Sequence, residues 1–297
     1  MKFTWYSPAG VEIDFTTDDT ATYKLLLGYD GISKIPCTHE TQQAPYQDGL
    51  DWQGAHIDPR EVSFDVLVSA PDLENLRVAI RNLTMALNPL AGPGWLVVTM
   101  EDGITEYSLK CIGNNTPSVN PRNRTGTKQY VTIDLIAFNP FFYSYPSEST
   151  YFGAGTPVVF PFAMPWTFPV STPTQNITNA GDVPAEATII VSGAITNPTI
   201  TRSYTDNYGV TVSESLAFTL TMTAGEVLTI TTGFGKNTIT LLHDTGVYDT
   251  NPFQYLNANP KFWSLMPGDN LVSVTSSAIS TGTSTGIEHA SKYSGIA

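Results

Sequence analysis

From Glu61 to Val68, Val62, Phe64, Val66 and Val68 fall on one face while Ser63 and Asp65 fall on the other. Successive side chains of an extended strand point to opposite faces, so this stretch buries one face and wets the other as a β-strand. The pattern recurs with Val131, Ile133 and Leu135 against Thr132 and Asp134, and with Leu216, Phe218, Leu220 and Met222 against Ala217, Thr219 and Thr221. FTWYS, VEIDF, WLVVTM and EYSLKCIG read as further strands in the first half; ATIIVSG, VLTITT, NTITLL and NLVSVTS do so in the second. One stretch has a different period. Leu73, Leu76, Ile80, Leu83 and Leu87 recur at spacings of three and four, which predicts a helix over 71–88. Ser69 with Asp72 resembles a capping box, and Pro71 sits where a first turn tolerates it. A lone helix with one apolar face is unstable in water, so it is expected to cover a sheet. The expected fold is mainly β, with an N-terminal β-sandwich carrying one packed helix and a second β-sandwich.

Composition narrows the function classes. With 14 Lys and Arg against 27 Asp and Glu, the net charge is −13. Nucleic-acid binding proteins bring cations to phosphates, and this chain has no basic face to offer. A negative surface would instead let DNA pass without sticking. No apolar run approaches the ~18 residues of a membrane span. The opening MKFTWYSPAG lacks the apolar core of a signal peptide, so synthesis and folding in a cytoplasm are expected. Cys37 and Cys111 show neither disulfide-framework nor zinc spacing and read as small buried residues.

Four segments are expected. Residues 1–145 form a first β unit that includes the helix. Residues 146–175, rich in proline and aromatics, read as a linker or arm, because proline removes ladder donors and favours an extended path. Residues 176–275 form the second unit, with turns at Ala224-Gly225-Glu226 and Pro267-Gly268-Asp269-Asn270. Residues 276–297 are a Ser/Thr/Gly-rich tail, strand-like from Ile287 to Tyr293 and ordered if tied into a sheet.

No catalytic constellation stands out. His39, His56, His243 and His289 lack metal-ligand spacing. Gly233-Phe234-Gly235-Lys236 reads as a hairpin turn, because its flanking strands are not a βαβ unit. Asp48, Asp51, Asp58 and Glu61 cluster in sequence without calcium-loop spacing, and read as a solvated loop. Arg122, Arg124 and Lys128 form the densest basic group and read as a loop that touches a protein neighbour. No catalytic residue, cofactor or metal is assigned. The aromatics Tyr204, Tyr208, Phe234, Tyr248, Phe253, Tyr255, Phe262 and Trp263 carry the alternative: stacking on sugars of a host surface polysaccharide, against a bland reading as core. A wall-degrading enzyme is a third reading, weakened by the lack of an acid/base pair.

The order of several stretches resembles the distal tail proteins of long-tailed, non-contractile phages. They are YQDGLDWQGAHIDPREVSFDVLV, LRVAIRNLTMALNPLAGPGWLVV, YVTIDLIAFNPFFYS, NAGDVPAEATIIVSGAITNPTI, KFWSLMPGDNLVSV and a close on KYSGIA. The "LNP" ending of the helix and the "NAGDVPA" and "LMPGDN" turns are the most telling. The resemblance implies a galectin-like C-terminal sandwich and a structural hub of the tail tip or baseplate. It implies a homo-oligomeric ring, usually hexameric, joining the tail tube protein to the central tail-tip protein and surrounding the DNA exit channel. Receptor-binding or accessory baseplate proteins would attach outside, in a virion component that attaches to the host and ejects the genome. DNA would only pass through. Gln47, Asp48, Gly49, Pro59 and Arg60 are the residues expected in an inter-subunit loop region.

Overall fold

The computed structural model describes residues 1–153, 173–233, 235–280 and 282–296. They divide into two compact units, Met1–Pro146 with Tyr293–Ala297, and Ser147–Lys292.

The first unit opens with β1 (Lys2–Tyr6), β2 (Glu12–Phe15) and β3 (Tyr23–Leu25), followed by the paired strands β4 (Cys37–Gln42) and β5 (Asp51–Ile57). After β6 (Arg60–Ser69) comes α1 (Leu73–Ala86), then β7 (Gly94–Thr99), β8 (Glu106–Gly113), β9 (Ser118–Thr125), β10 (Lys128–Ala137) and β11 (Phe142–Tyr145). Apart from β4 and β5, these strands lie in one antiparallel sheet of order β2-β1-β7-β8-β10-β6-β3, with β9 beside β10 and β11 beside β8. Its two halves join through the short pairing of Leu135 with Gly113 and Ile136 with Ile112. Its two end strands also meet: Leu25 N donates to Thr16 O at 2.8 Å and Thr16 N to Tyr23 O at 3.3 Å. The two layers expected of a sandwich are thus the halves of one sheet curled around a single core, an arrangement that leaves few open edges.

The alternation supplies that core. Val62, Phe64, Val66, Val68, Val131, Ile133 and Leu135 are all buried, and they face Phe3, Trp5 and Phe15 from the other half. Phe64 meets Phe3 and Phe15 edge to face, at centroid separations of 5.2 and 5.3 Å. The helix covers the core with Leu76, Ala79, Leu83 and Ala86, while Leu73 is exposed and Ile80 half-buried. Leu76, Leu83 and Leu87 of the expected stripe are buried, joined by Ala79 and Ala86 in place of Leu73 and Ile80. Asp72 itself is the N-cap and accepts from Asn75 N at 2.8 Å, so the expected box with Ser69 is not formed and Pro71 precedes the helix. Trp5 Nε1 donates to Ala86 O at 2.8 Å and ties the last turn to β1. Asn88 then caps a one-turn 3-10 helix, Pro89–Ala91. Gly94 starts β7 where a Cβ would lie 2.5 Å from Tyr6 O and 2.7 Å from the Trp5 ring, so no larger residue fits without movement.

The second unit is a two-sheet sandwich. One sheet runs β12 (Glu148–Gly153), β23 (Ser284–His289), β14 (Ala187–Ser192), β19 (Val227–Thr232), β20 (Thr238–Leu242). The other runs β13 (Thr174–Asn179), β21 (Gly268–Thr275), β16 (Thr199–Thr205), β17 (Thr211–Ala217). A small sheet joins β15 (Ile195–Thr196) to β18 (Thr221–Met222) and β22 (Ala278–Ile279). The short β24 (Lys292–Tyr293) follows. Ile189, Val191, Ile230 and Ile287 from the first sheet pack on Ile200, Leu216, Val272 and Val274 from the second. Leu216, Phe218, Leu220 and Met222 are all buried as expected, although the strand breaks after Ala217 and resumes at Thr221.

Two motif residues act as buried clamps. Asn179 Nδ2 donates to Val183 O and Leu265 O, and Asn270 Nδ2 donates to Met266 O and Gly268 O. Gly181 passes so close to Lys292 that a Cβ would lie 1.9 Å from its carbonyl oxygen. The segment read as a linker at 146–175 begins instead with β12 and ends in β13; its residues 154–172 lie outside the described residues, as does Phe234. The tail supplies β23, an inner strand between β12 and β14 that buries Ile287.

Candidate assembly surfaces

β4 and β5 form a two-stranded ribbon, and among the described residues no further strand pairs with either. Every residue of β4 is exposed, and all of β5 except the half-buried Gly54. An isolated two-stranded hairpin is marginal in water, and both strands of this one are exposed among the described residues. Cys37, expected to be buried, stands exposed at its base for this reason, whereas Cys111 is buried and desolvation pushes its thiol pKa up.

The tip is locally organised. Gln47 N donates to Ala44 O at 3.1 Å, Gln47 Oε1 accepts from Ala44 N at 2.9 Å, and Gln43 Nε2 donates to Gln47 O at 3.0 Å. Tyr46 and Gly49 adopt φ of 65° and 83°, a region that glycine enters freely and tyrosine seldom does. Asp48 is exposed at the tip, and Tyr46, Leu50 and Trp52 add exposed apolar surface there. The carboxylates that cluster in sequence are strung along the ribbon: Asp48 at the tip, Asp51 at the start of β5, Asp58 at the root and Glu61 beyond it in β6. His56 lies 3.7 Å from Glu40 and 3.3 Å from Asp58. Among the described residues no group of three or more His, Cys, Asp or Glu is placed to hold a metal ion.

The root is held by Arg60. Pro59 is exposed, but Arg60 is wholly buried. Its Nε donates to Pro140 O at 2.6 Å, its Nη1 to Gly31 O, Ile32 O and Lys34 O at 2.6, 3.1 and 2.9 Å, and its Nη2 to Ser294 O. The guanidinium also lies 5.0 Å from the Phe142 ring centroid. Burial lowers its pKa to about 10, so it stays charged at neutral pH. Of the five residues expected in an inter-subunit loop, Gln47, Asp48 and Gly49 therefore share the tip, whereas Pro59 and Arg60 sit at the base. There Arg60 organises the fold instead of meeting solvent. An arginine after a proline reads as a surface residue; only its carbonyl partners, far away in sequence, draw it inside.

The β9–β10 hairpin is a second exposed feature. It turns through Gly126, with φ of 61°, and presents Arg122, Arg124 and Lys128 to solvent. Buried Gln129 holds the irregular pairing by donating to Asn120 O at 2.9 Å and Tyr130 O at 2.8 Å. In the second unit, Tyr208, Tyr248 and Phe253 are exposed, Trp263 is buried, and Tyr204, Tyr255 and Phe262 are half-buried. Among the described residues no ring contact joins the three exposed ones.

Comparison with known proteins follows the same division. Residues 10–136 match the phage tail protein RIFT-related domain family. SPP1 Dit (gp 19.1), described as a paradigm of the hub adsorption apparatus in phages infecting Gram-positive bacteria, superposes with a TM-score of 0.64. The identity is 13%, over 97% of this chain and 98% of that one. The chain has the distal tail protein fold. A chain of the phage P2 baseplate in its activated conformation with Ca matches at a TM-score of 0.55, with 10% identity and 99% of each chain covered. The corresponding structure with Sr gives 0.54, with 10% identity and full coverage of both. No curated protein sequence matches the chain. The distal tail protein fold thus spans both units, while the sequence family is recognised within the first.

Proposed function

We propose that this protein is a structural hub of a phage tail tip or baseplate, at the distal end of the virion tail. Copies form a ring, hexameric by analogy, that joins the tail tube protein to the central tail-tip protein and surrounds the channel through which DNA leaves. The observation that carries the role is the likeness of fold to SPP1 Dit along nearly the whole of both chains. The uncovered β4–β5 ribbon supports the ring: a head-to-tail arrangement gives each ribbon a neighbouring copy to lie on, and such heterologous contacts close when the rotation permits. Gln47, Asp48 and Gly49 are the contact residues at the ribbon tip, with Pro59 and Arg60 holding its base. The net charge of −13 suits a channel that passes a polyanion without retaining it. The role is structural rather than catalytic, and receptor-binding or accessory proteins attach to the ring. Purified full-length protein is expected to give rings with a central hole by negative-stain microscopy. A strictly monomeric chain at every concentration overturns the ring. The carbohydrate-binding alternative rests on Tyr208, Tyr248 and Phe253, and silence on an array of host wall glycans removes it.

A further inference from the structure

The ribbon and the β9–β10 hairpin carry opposite charge. From Cys37 to Pro59 the chain has Glu40, Asp48, Asp51 and Asp58 and neither lysine nor arginine. From Tyr107 to Ile133 it has Lys110, Arg122, Arg124 and Lys128 and no carboxylate. Among the described residues no salt bridge engages Arg122 or Arg124. In a chain this acidic, exposed arginines without a salt bridge among the described residues mark a surface suited to a negative partner.

The two features also sit at opposite ends of one strand pair. β6 and β10 run antiparallel in unbroken register, with Arg60 opposite Ala137 and Ser69 opposite Lys128. The ribbon root is at the Arg60 end and the basic hairpin at the Lys128 end. Nine residue steps at about 3.3 Å each place them about 30 Å apart. A surface rooted at one end of a rigid strand pair and its complement at the other are placed for head-to-tail contact between copies, the geometry a ring requires.

Resting on the ring reading above, we propose that the ring closes through the acidic β4–β5 ribbon of one copy docking on the basic β9–β10 hairpin of the next. Asp48 and Asp51 face Arg122 and Arg124, and Tyr46, Leu50 and Trp52 supply the apolar part of the contact. Charge sets the register of such a contact, and the aromatic residues supply most of its area.

Charge reversal tests it in the full-length chain. R122E/R124E and D48K/D51K each raise the concentration needed for rings about tenfold or more by mass photometry at low salt, because like charges then face each other. The four-fold variant that combines them returns to within about threefold of the original, since the attraction is restored with its sign exchanged. The neutral R122Q/R124Q gives an intermediate shift. All these side chains are exposed, so circular dichroism and melting temperature stay unchanged and report intact folding. If R122E/R124E assembles as the original does, the docking surface is wrong and the ring reading stands. If both reversals abolish rings and the combined variant does not recover, the two surfaces serve other partners and the proposal falls. An original chain that never assembles overturns the ring reading itself.

Discussion

Arg60 shows how much one buried cation organises. Its donors gather carbonyls from the 31–34 loop, from Pro140 and from Ser294, and so join the ribbon root to three other parts of the first unit. Arg60→Met leaves these carbonyls buried without donors, each at a cost of about 1–3 kcal/mol. The first unit is expected to lose about 3–5 kcal/mol in urea unfolding, the usual cost of removing one partner from a buried charged network. Arg60→Lys recovers little of it, because an ammonium lacks the planar fork. In the second unit, His243 Nδ1 shares a short hydrogen bond with Glu226, and its Nε2 lies 3.9 Å from Asp249. The Glu226 hydrogen bond raises the His243 pKa above its usual 6.5, against some desolvation and with help from the charges of Asp249 and Asp244. The same hydrogen bond holds Glu226 below its usual 4.5. A raised histidine stabilises fully below 6.5, and that contribution is lost as pH rises through the folded value. A depressed carboxylate stabilises above 4.5 and is lost as pH falls through its folded value. The melting temperature of the second unit should therefore peak between these two values, and His243→Gln should flatten the profile; an unchanged profile would mean that the pair is inert.

Elements behave less uniformly than their sequence patterns suggest. The alternating strands β6 and β10 bury the residues their pattern names, because a period of two leaves only one face for the core. The helix forms where its pattern predicts, but its buried stripe includes Ala79 and Ala86, with Trp5 bonded to the Ala86 carbonyl. Leu83 lies at the centre of that stripe and is fully buried. Leu83→Asp places an unpaired charge there and should abolish folding of the first unit, a loss of about 4–5 kcal/mol or more by urea denaturation. Ile80→Asp, on a half-buried position, should cost clearly less. Equal losses would show the helix to be rotated from the position described. The β4–β5 ribbon is the opposite case: it pairs as a hairpin but, among the described residues, covers no core, so no apolar period announced it.

The whole molecule is two cores, and the chain crosses between them twice. The first unit is completed by residues from the far end of the sequence: Ile296 is buried in its core, Ile296 N donates to Ile32 O at 3.3 Å, and Tyr107 stacks edge to face on Tyr293. A fragment ending at Pro146 lacks these and the Ser294 carbonyl. It should melt several degrees below the same unit in the full chain, since about 1 kcal/mol moves the midpoint of a domain this size by roughly 2–8 °C. A fragment covering 147–292 retains its own core and should melt cooperatively by itself. A first-unit fragment that matches the full chain in stability would show the terminal segment to be ornamental.

The periodicities of this chain determined by themselves that it is mainly β, that one helix lies against the first sheet, and which side chains of β6 and β10 are inside. The ordered turn motifs carried the likeness to distal tail proteins. These are local signals, written within a few residues of where they act. Tertiary structure alone decided that Arg60 is buried, that the last residues complete the first unit, that Cys37 is exposed, and that the acidic ribbon and the basic hairpin stand at opposite ends of one strand pair. Each of those outcomes depends on groups brought together from distant parts of the chain, and no local period encodes which distant carbonyl or charge a side chain will meet.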